Sequence, residues 1–310
     1  MVKSRENKSS LLKSSLSEIS SSKISLSKIR NVASVEYTKW IYNPRLLILL
    51  ILFVFIYDYI IEELIESANK MGSMVMVIEP FIAMANSELL IMVIPAVFIV
   101  LISDFPKTDG NSLFYISRVG KTNWMLGQML FGVMSAITYL FSIVFMSCVM
   151  VSKHAYAKNM WSPVITSYTK MFPNEIRSRI PMLINGRLYN NLTPLQAFLI
   201  TITLLLLYLV TMELFLLVGF SVGKRMLGML AGFMIIAVGS SLCGIGSKAQ
   251  WAFPSAHSIA WLHYDYVLRI QKVNIKYSYL YFILIIIALF VVSALSVRRY
   301  DFAKITDMED

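Results

Sequence analysis

Charge is scarce in this sequence. Asp, Glu, Lys and Arg make up 15% of the 310 residues while 57% are hydrophobic, and the mean hydropathy is +0.67. A water-soluble domain carries about a quarter charged residues and could not bury so much apolar surface. Cysteine is nearly absent: Cys148 and Cys243 each sit inside an apolar run, where a free thiol packs as a small hydrophobe, and they leave the redox compartment unread. Histidine is as rare, and none follows His263. No arginine–aromatic module accompanies the formal charge of +10, so nucleic acid is not implied; on a membrane chain such charge sets topology and meets anionic headgroups.

Apolar runs long enough to cross a bilayer, about 20 residues at 1.5 Å rise, dominate what is there. Six are expected near 45–63, 87–103, 124–152, 196–222, 226–247 and 277–297. The sequence therefore reads as an all-α integral membrane protein with a 45–297 transmembrane domain of about six helices and a short tail, 298–310. Pro95 lies inside the second run and is expected to bend it. Residues 1–44 hold twelve Ser, eight Lys/Arg and three Glu, too polar to span and without the apolar core or cleavage site of a secretory signal. Leu12, Leu16, Ile19, Leu26, Ile29 and Ala33 fall near helical spacing, which suits an interfacial, elbow-like helix; residues 1–20 also read as a disordered basic tail. With both termini cytoplasmic, 17 Lys/Arg fall inside and 11 outside, the asymmetry expected of a multi-pass protein of the cell membrane. The basic outside loop 153–195 weighs against that orientation.

Several motifs point toward chemistry and then stop short. Gly120-Lys121-Thr122 has the ending of a phosphate-binding loop, but Tyr115 stands where the first glycine is required, and no strand is expected before it. Pro254-Ser255-Ala256-His257, with Lys170 and Arg177 at the spacing of a second element, approaches the pattern of membrane phosphatidic acid phosphatases. Ser178 replaces the next proline and no later histidine supplies the nucleophile. His257, His263 and Asp265 match no metal-ligand spacing, and the two histidines read as interfacial side chains among Trp251, Trp261, Tyr264 and Tyr266. No catalytic residue, metal or cofactor is expected.

Glu213 is the one acid well inside an apolar run. An acid there costs several kcal/mol unless protonated, paired or facing water, so it reads as either an interhelical hydrogen-bond partner or a group lining a pathway. Gly219, Gly223, Gly228 and Gly232 form two small-residue pairs around Lys224 and Arg225, a spacing that lets helices approach closely.

Two segments resemble the permease subunits of type-2 ABC exporters: Tyr37 through Arg45, ending Asn43-Pro44-Arg45, and Asp104 through Trp124, with Ser117-Arg118-Val119-Gly120-Lys121-Thr122-Asn123-Trp124 leading into the third run. The stretch Trp251–Tyr266 before the last run also looks re-entrant, whereas the long loop 153–195 departs from the compact family pattern. The resemblance implies an elbow helix at the first segment and, at the second, a coupling loop that docks on a separate cytoplasmic ATPase subunit. Phe114, Tyr115, Ile116, Arg118 and Lys121 offer the apolar area and charge for that contact. With six helices and no duplicated half, a complete pathway would form between two such subunits, as a homo- or heterodimer in membrane lipid. A non-transport membrane component (immunity, assembly or sensor protein), an ion-coupled carrier and a membrane phosphatase-like enzyme are the competing readings.

Overall fold

The structure is a computed structural model describing residues 24–106, 112–175, 180–265 and 270–299. Leu12, Leu16 and Ile19 of the leader, Arg177, Tyr266 and the end of the tail lie outside the described residues. Where water is excluded, a spanning backbone must satisfy its own hydrogen bonds, and the described residues are mostly helical with almost no sheet.

In chain order the described helices are α1 (Leu26–Ile41), α2 (Pro44–Met71), α3 (Glu79–Ala85), α4 (Leu90–Leu101), α5 (Ser112–Val119), α6 (Lys121–Val151), α7 (Pro163–Met171), α8 (Ile180–Leu183), α9 (Gly186–Tyr189), α10 (Pro194–Ser221), α11 (Arg225–Ile245), α12 (Pro254–Ser258) and α13 (Ile275–Arg299), besides short 3-10 turns. Among the described residues five helices are long and apolar enough to cross a membrane: Pro44–Met71, Lys121–His154, Pro194–Ser221, Arg225–Ile245 and Ile275–Val297. A sixth exists if α3 and α4 are one span, bent by 85°. The sharp bend thus falls at residues 86–89 rather than at Pro95, which α4 carries within its length.

The outer faces of these helices are apolar. On α13, Leu280, Leu284, Ile287, Val291 and Leu295 are exposed at steps of three and four residues, and Ile137, Phe141, Phe145 and Val149 form the same stripe on α6. In water such stripes would be a large exposed patch; in lipid they are the solvated face. The polar start of α10 shows how a long helix is launched: Thr193 Oγ1 accepts from Gln196 N–H, Gln196 Oε1 accepts from Thr193 N–H (3.1 Å), and Pro194 opens the helix, a capping box that satisfies two otherwise orphaned donors.

The loops gather at two ends. At one, Arg45 before the body of α2, Asp104 after α4 and Arg225 at the start of α11 meet: Arg45 Nη1 lies 2.6 Å from Asp104 Oδ2 and donates to Ser103 Oγ (2.6 Å), while Arg225 Nη2 donates to the Ser103 carbonyl (2.6 Å). Trp124 and Phe220 pack there at 5.8 Å. At the other end the three long loops form a cap. Val75–Met76 pairs in parallel with Ala155–Tyr156, Glu79 accepts from the N–H groups of Met76 (3.0 Å) and Ser162 (2.6 Å), and Trp161 Nε1 donates to the Leu192 carbonyl (2.7 Å). The loop 153–195, expected to be the awkward segment, is built into this cap by α7, α8 and α9.

Candidate functional site

The segment from Asp104 to Trp124 is folded tightly onto the rest of the chain. α5 runs into α6 through a single residue, Gly120, whose φ of 89° is a conformation that a side chain would strain. Gly120 N–H donates to the Ile116 carbonyl (2.8 Å), and its own carbonyl accepts from Trp124 N–H (3.0 Å). The Gly-Lys-Thr tripeptide therefore joins two helices and lies in no strand–loop–helix setting.

α1 braces this corner. Ser25 N–H donates to Asn123 Oδ1 (3.0 Å), Lys28 Nζ donates to the Arg118 carbonyl (3.2 Å), and Val32 lies where a Cβ on Gly127 would overlap it. Further on, Tyr37 Oη and Thr138 Oγ1 are 2.7 Å apart and Trp40 Nε1 donates to the Leu101 carbonyl (3.1 Å). The two helices run in the same sense, and α1 ties the end of α4 to the start of α6. Its buried face is Val32, Ala33, Glu36 and Trp40; Leu26, part of the expected apolar stripe, is exposed. Of the helix read from Leu12 to Ala33, the described part belongs to α1, which runs on to Ile41, stops short of Asn43-Pro44-Arg45 and packs against α6.

Of the expected docking residues, Arg118 is exposed, Tyr115 and Lys121 are half-buried, and Ile116 is only 4% exposed. Ile116 is thus spent on the chain's own core together with Val119 and cannot serve as docking surface. The side chain of Phe114 and residues 107–111 lie outside the described residues.

Deeper in the bundle, Glu213 on α10 is fully buried with its carboxyl group against Gly132 of α6. Neither of its oxygens has a hydrogen-bond partner among the described residues, and the same holds for both polar atoms of buried Gln128, one turn before Gly132. Of the two readings of Glu213, the interhelical hydrogen bond is therefore not made among the described residues. The glycine pairs act by contact: a Cβ on Gly219 would lie 2.6 Å from Gly228 Cα, and one on Gly232 would lie 3.0 Å from Ile99 Cδ1, so α10 and α11 touch backbone to backbone and α11 closes on α4. Gly223 turns the chain between them at a φ of 75°.

In the cap, His257 and His263 are buried rather than exposed in an aromatic belt. His257 Nδ1 and His263 Nε2 converge on Ser278 Oγ at 2.8 and 2.7 Å, and their other nitrogens face the carbonyls of Trp251 (2.9 Å) and Ile259 (3.1 Å). Burial pushes the His263 imidazole down to about 4 and lowers His257 as well. Asn86, at the break between α3 and α4, accepts from Ala260 N–H (2.8 Å) and donates to the Ile82 carbonyl (2.9 Å) and to Thr201 Oγ1 (3.1 Å). Among the described residues no group of three or more His, Cys, Asp or Glu could hold a metal ion.

No known family, curated protein or solved structure matches the chain. Sequence reasoning had no signal for the convergence on Ser278, because serine inside an apolar run is unremarkable until its partners arrive from another segment.

Proposed function

We propose that this chain is the membrane-spanning subunit of an ATP-driven exporter of the type-2 ABC kind, docked through residues 104–124 to a separate cytoplasmic ATPase. One observation carries the reading: α5 is fused through Gly120 to α6, a helix of 31 residues, and braced by α1 against the end of α4. A push on such a corner reaches two spans at once, which is what a transporter driven by an outside motor needs. The exposed Arg118 is the charged handle, and the Arg45–Asp104–Arg225 cluster joins the corner to α2 and α11. Docking places this end, and both termini, in the cytoplasm of a multi-pass cell-membrane protein. A second such subunit, homo- or heterodimeric, completes the pathway.

The test is co-purification with a candidate cytoplasmic ATPase. Arg118→Glu should reduce recovery of that ATPase at least tenfold without loss of membrane insertion, since interface arginines often carry a large share of binding energy. The purified chain alone should turn over no ATP. Unchanged recovery with Arg118→Glu, or turnover abolished by Lys121→Ala, would overturn the reading.

A further inference from the structure

The break between α3 and α4 opens onto a cavity of about 600 Å³ at the cap end. That volume is typical of sites that enclose an organic molecule. Its walls come from four places: Tyr59 from α2, where Tyr57–Ile61 is a π-helical turn; Glu88 and Met92 from the break and the start of α4; Ser240 and Ser241 from α11; and Trp261 from the cap. π-helical turns are rare and recur at functional sites. Non-helical backbone at the end of a broken span is likewise tolerated where it lines a cavity.

The wall is fixed before any ligand arrives. Trp261 Nε1 donates to the Asn86 carbonyl (2.9 Å), its ring carries the Arg187 guanidinium 5.5 Å from the centroid, and the Asn86 side chain is held by the three hydrogen bonds already described. Two polar groups are left over. Ser240, 6% exposed, keeps its hydroxyl without a partner, and Glu88 is exposed with no ion pair among the described residues. Among the described residues Glu88 is also the single charged one lining the cavity; Arg187 stacks on Trp261 and is not among the described lining residues.

We propose that this cavity binds a lipophilic organic cation, with Glu88 as its counter-charge and Tyr59, Met92 and Trp261 receiving its apolar body. A carboxylate beside low-dielectric walls attracts a cation more strongly than it would in water, aromatic faces add to that attraction, and an anion of equal size would meet Glu88 with no cation among the described lining residues to offset it. Binding is a property of the chain alone and does not depend on the transport reading, so the two can fail separately.

The experiment uses the full chain in lipid nanodiscs with radiolabelled tetraphenylphosphonium, and tetraphenylborate as the anion of the same shape. Saturable phosphonium binding is expected. It should weaken at least tenfold in Glu88→Gln and be lost in Ser241→Trp, which fills the cavity while keeping the carboxylate. Glu62→Gln, an exposed acid elsewhere on α2, should leave it unchanged, and tetraphenylborate should not compete. Four results would each overturn the proposal: no saturable binding, equal affinity in Glu88→Gln, equal affinity in Ser241→Trp, or competition by the borate as strong as by unlabelled phosphonium.

Discussion

The carboxyl group of Glu213 fills the notch that Gly132 leaves on the facing helix, and nothing else on either helix could occupy that space without displacing it. A Cβ at position 132 would overlap the carboxyl carbon. Gly132→Ala is therefore expected to destabilise the bundle by about 1–3 kcal/mol, the usual cost of overpacking. Glu213→Gln keeps the shape and replaces a buried acid that has no hydrogen-bond partner among the described residues, so it should be no less stable than the natural chain. Thermal unfolding in detergent, followed by size-exclusion fluorescence, distinguishes these. Wild-type stability in Gly132→Ala would show that the two helices separate easily at this point.

Asp104 holds Arg45 at 2.6 Å and Arg225 at 3.7 Å, and all three side chains are between a third and a half exposed. Screening by solvent keeps each pair small, on the order of 0.5 kcal/mol. Asp104→Asn should lower stability by about 1 kcal/mol at most, with the loss shrinking in high salt, and should weaken coupling between the corner and the bundle more than it weakens folding. A salt-independent loss of several kcal/mol would mean that the cluster is shielded from water.

Sidedness can be read by single cysteines after Cys148 and Cys243 are replaced. A cysteine at Ser112, near the braced corner, should resist an impermeant thiol reagent added to intact cells, and one at Met160, exposed in the cap, should react. The reverse pattern would invert the chain in the membrane.

The buried histidines of the cap give it an acid sensitivity whose sign is fixed. An unfolded histidine titrates near 6.5, whereas burial holds His263 near 4, so between those values the unfolded chain binds more protons and stability falls as pH falls. The loss begins near pH 6.5 and continues down toward pH 4. His263→Gln should flatten that slope, measured as melting temperature between pH 7.5 and 5. An equally steep slope in the variant would place the acid sensitivity elsewhere.

The membrane class and the predominance of helix follow from the sequence, because both depend on runs of about 20 residues that any neighbour would leave helical in lipid. A helix ahead of the first span is legible in its local spacing from Leu26 to Ala33, but that it packs on α6 is not. The position of the sharp bend is a different matter. Pro95 is the visible helix breaker, yet the chain breaks at residues 86–89, where Asn86 takes a hydrogen bond from Ala260, 174 positions away, and no local signal contains that partner. Ile116 read as free apolar surface and is buried because α5 folds back onto the chain. The two histidines read as interfacial side chains of an aromatic belt and are instead buried, converging on Ser278 from another segment. Local hydrophobicity decides what enters the membrane; which polar groups meet inside it is decided by packing between distant segments, since only the assembled tertiary structure brings a donor and an acceptor within 3 Å.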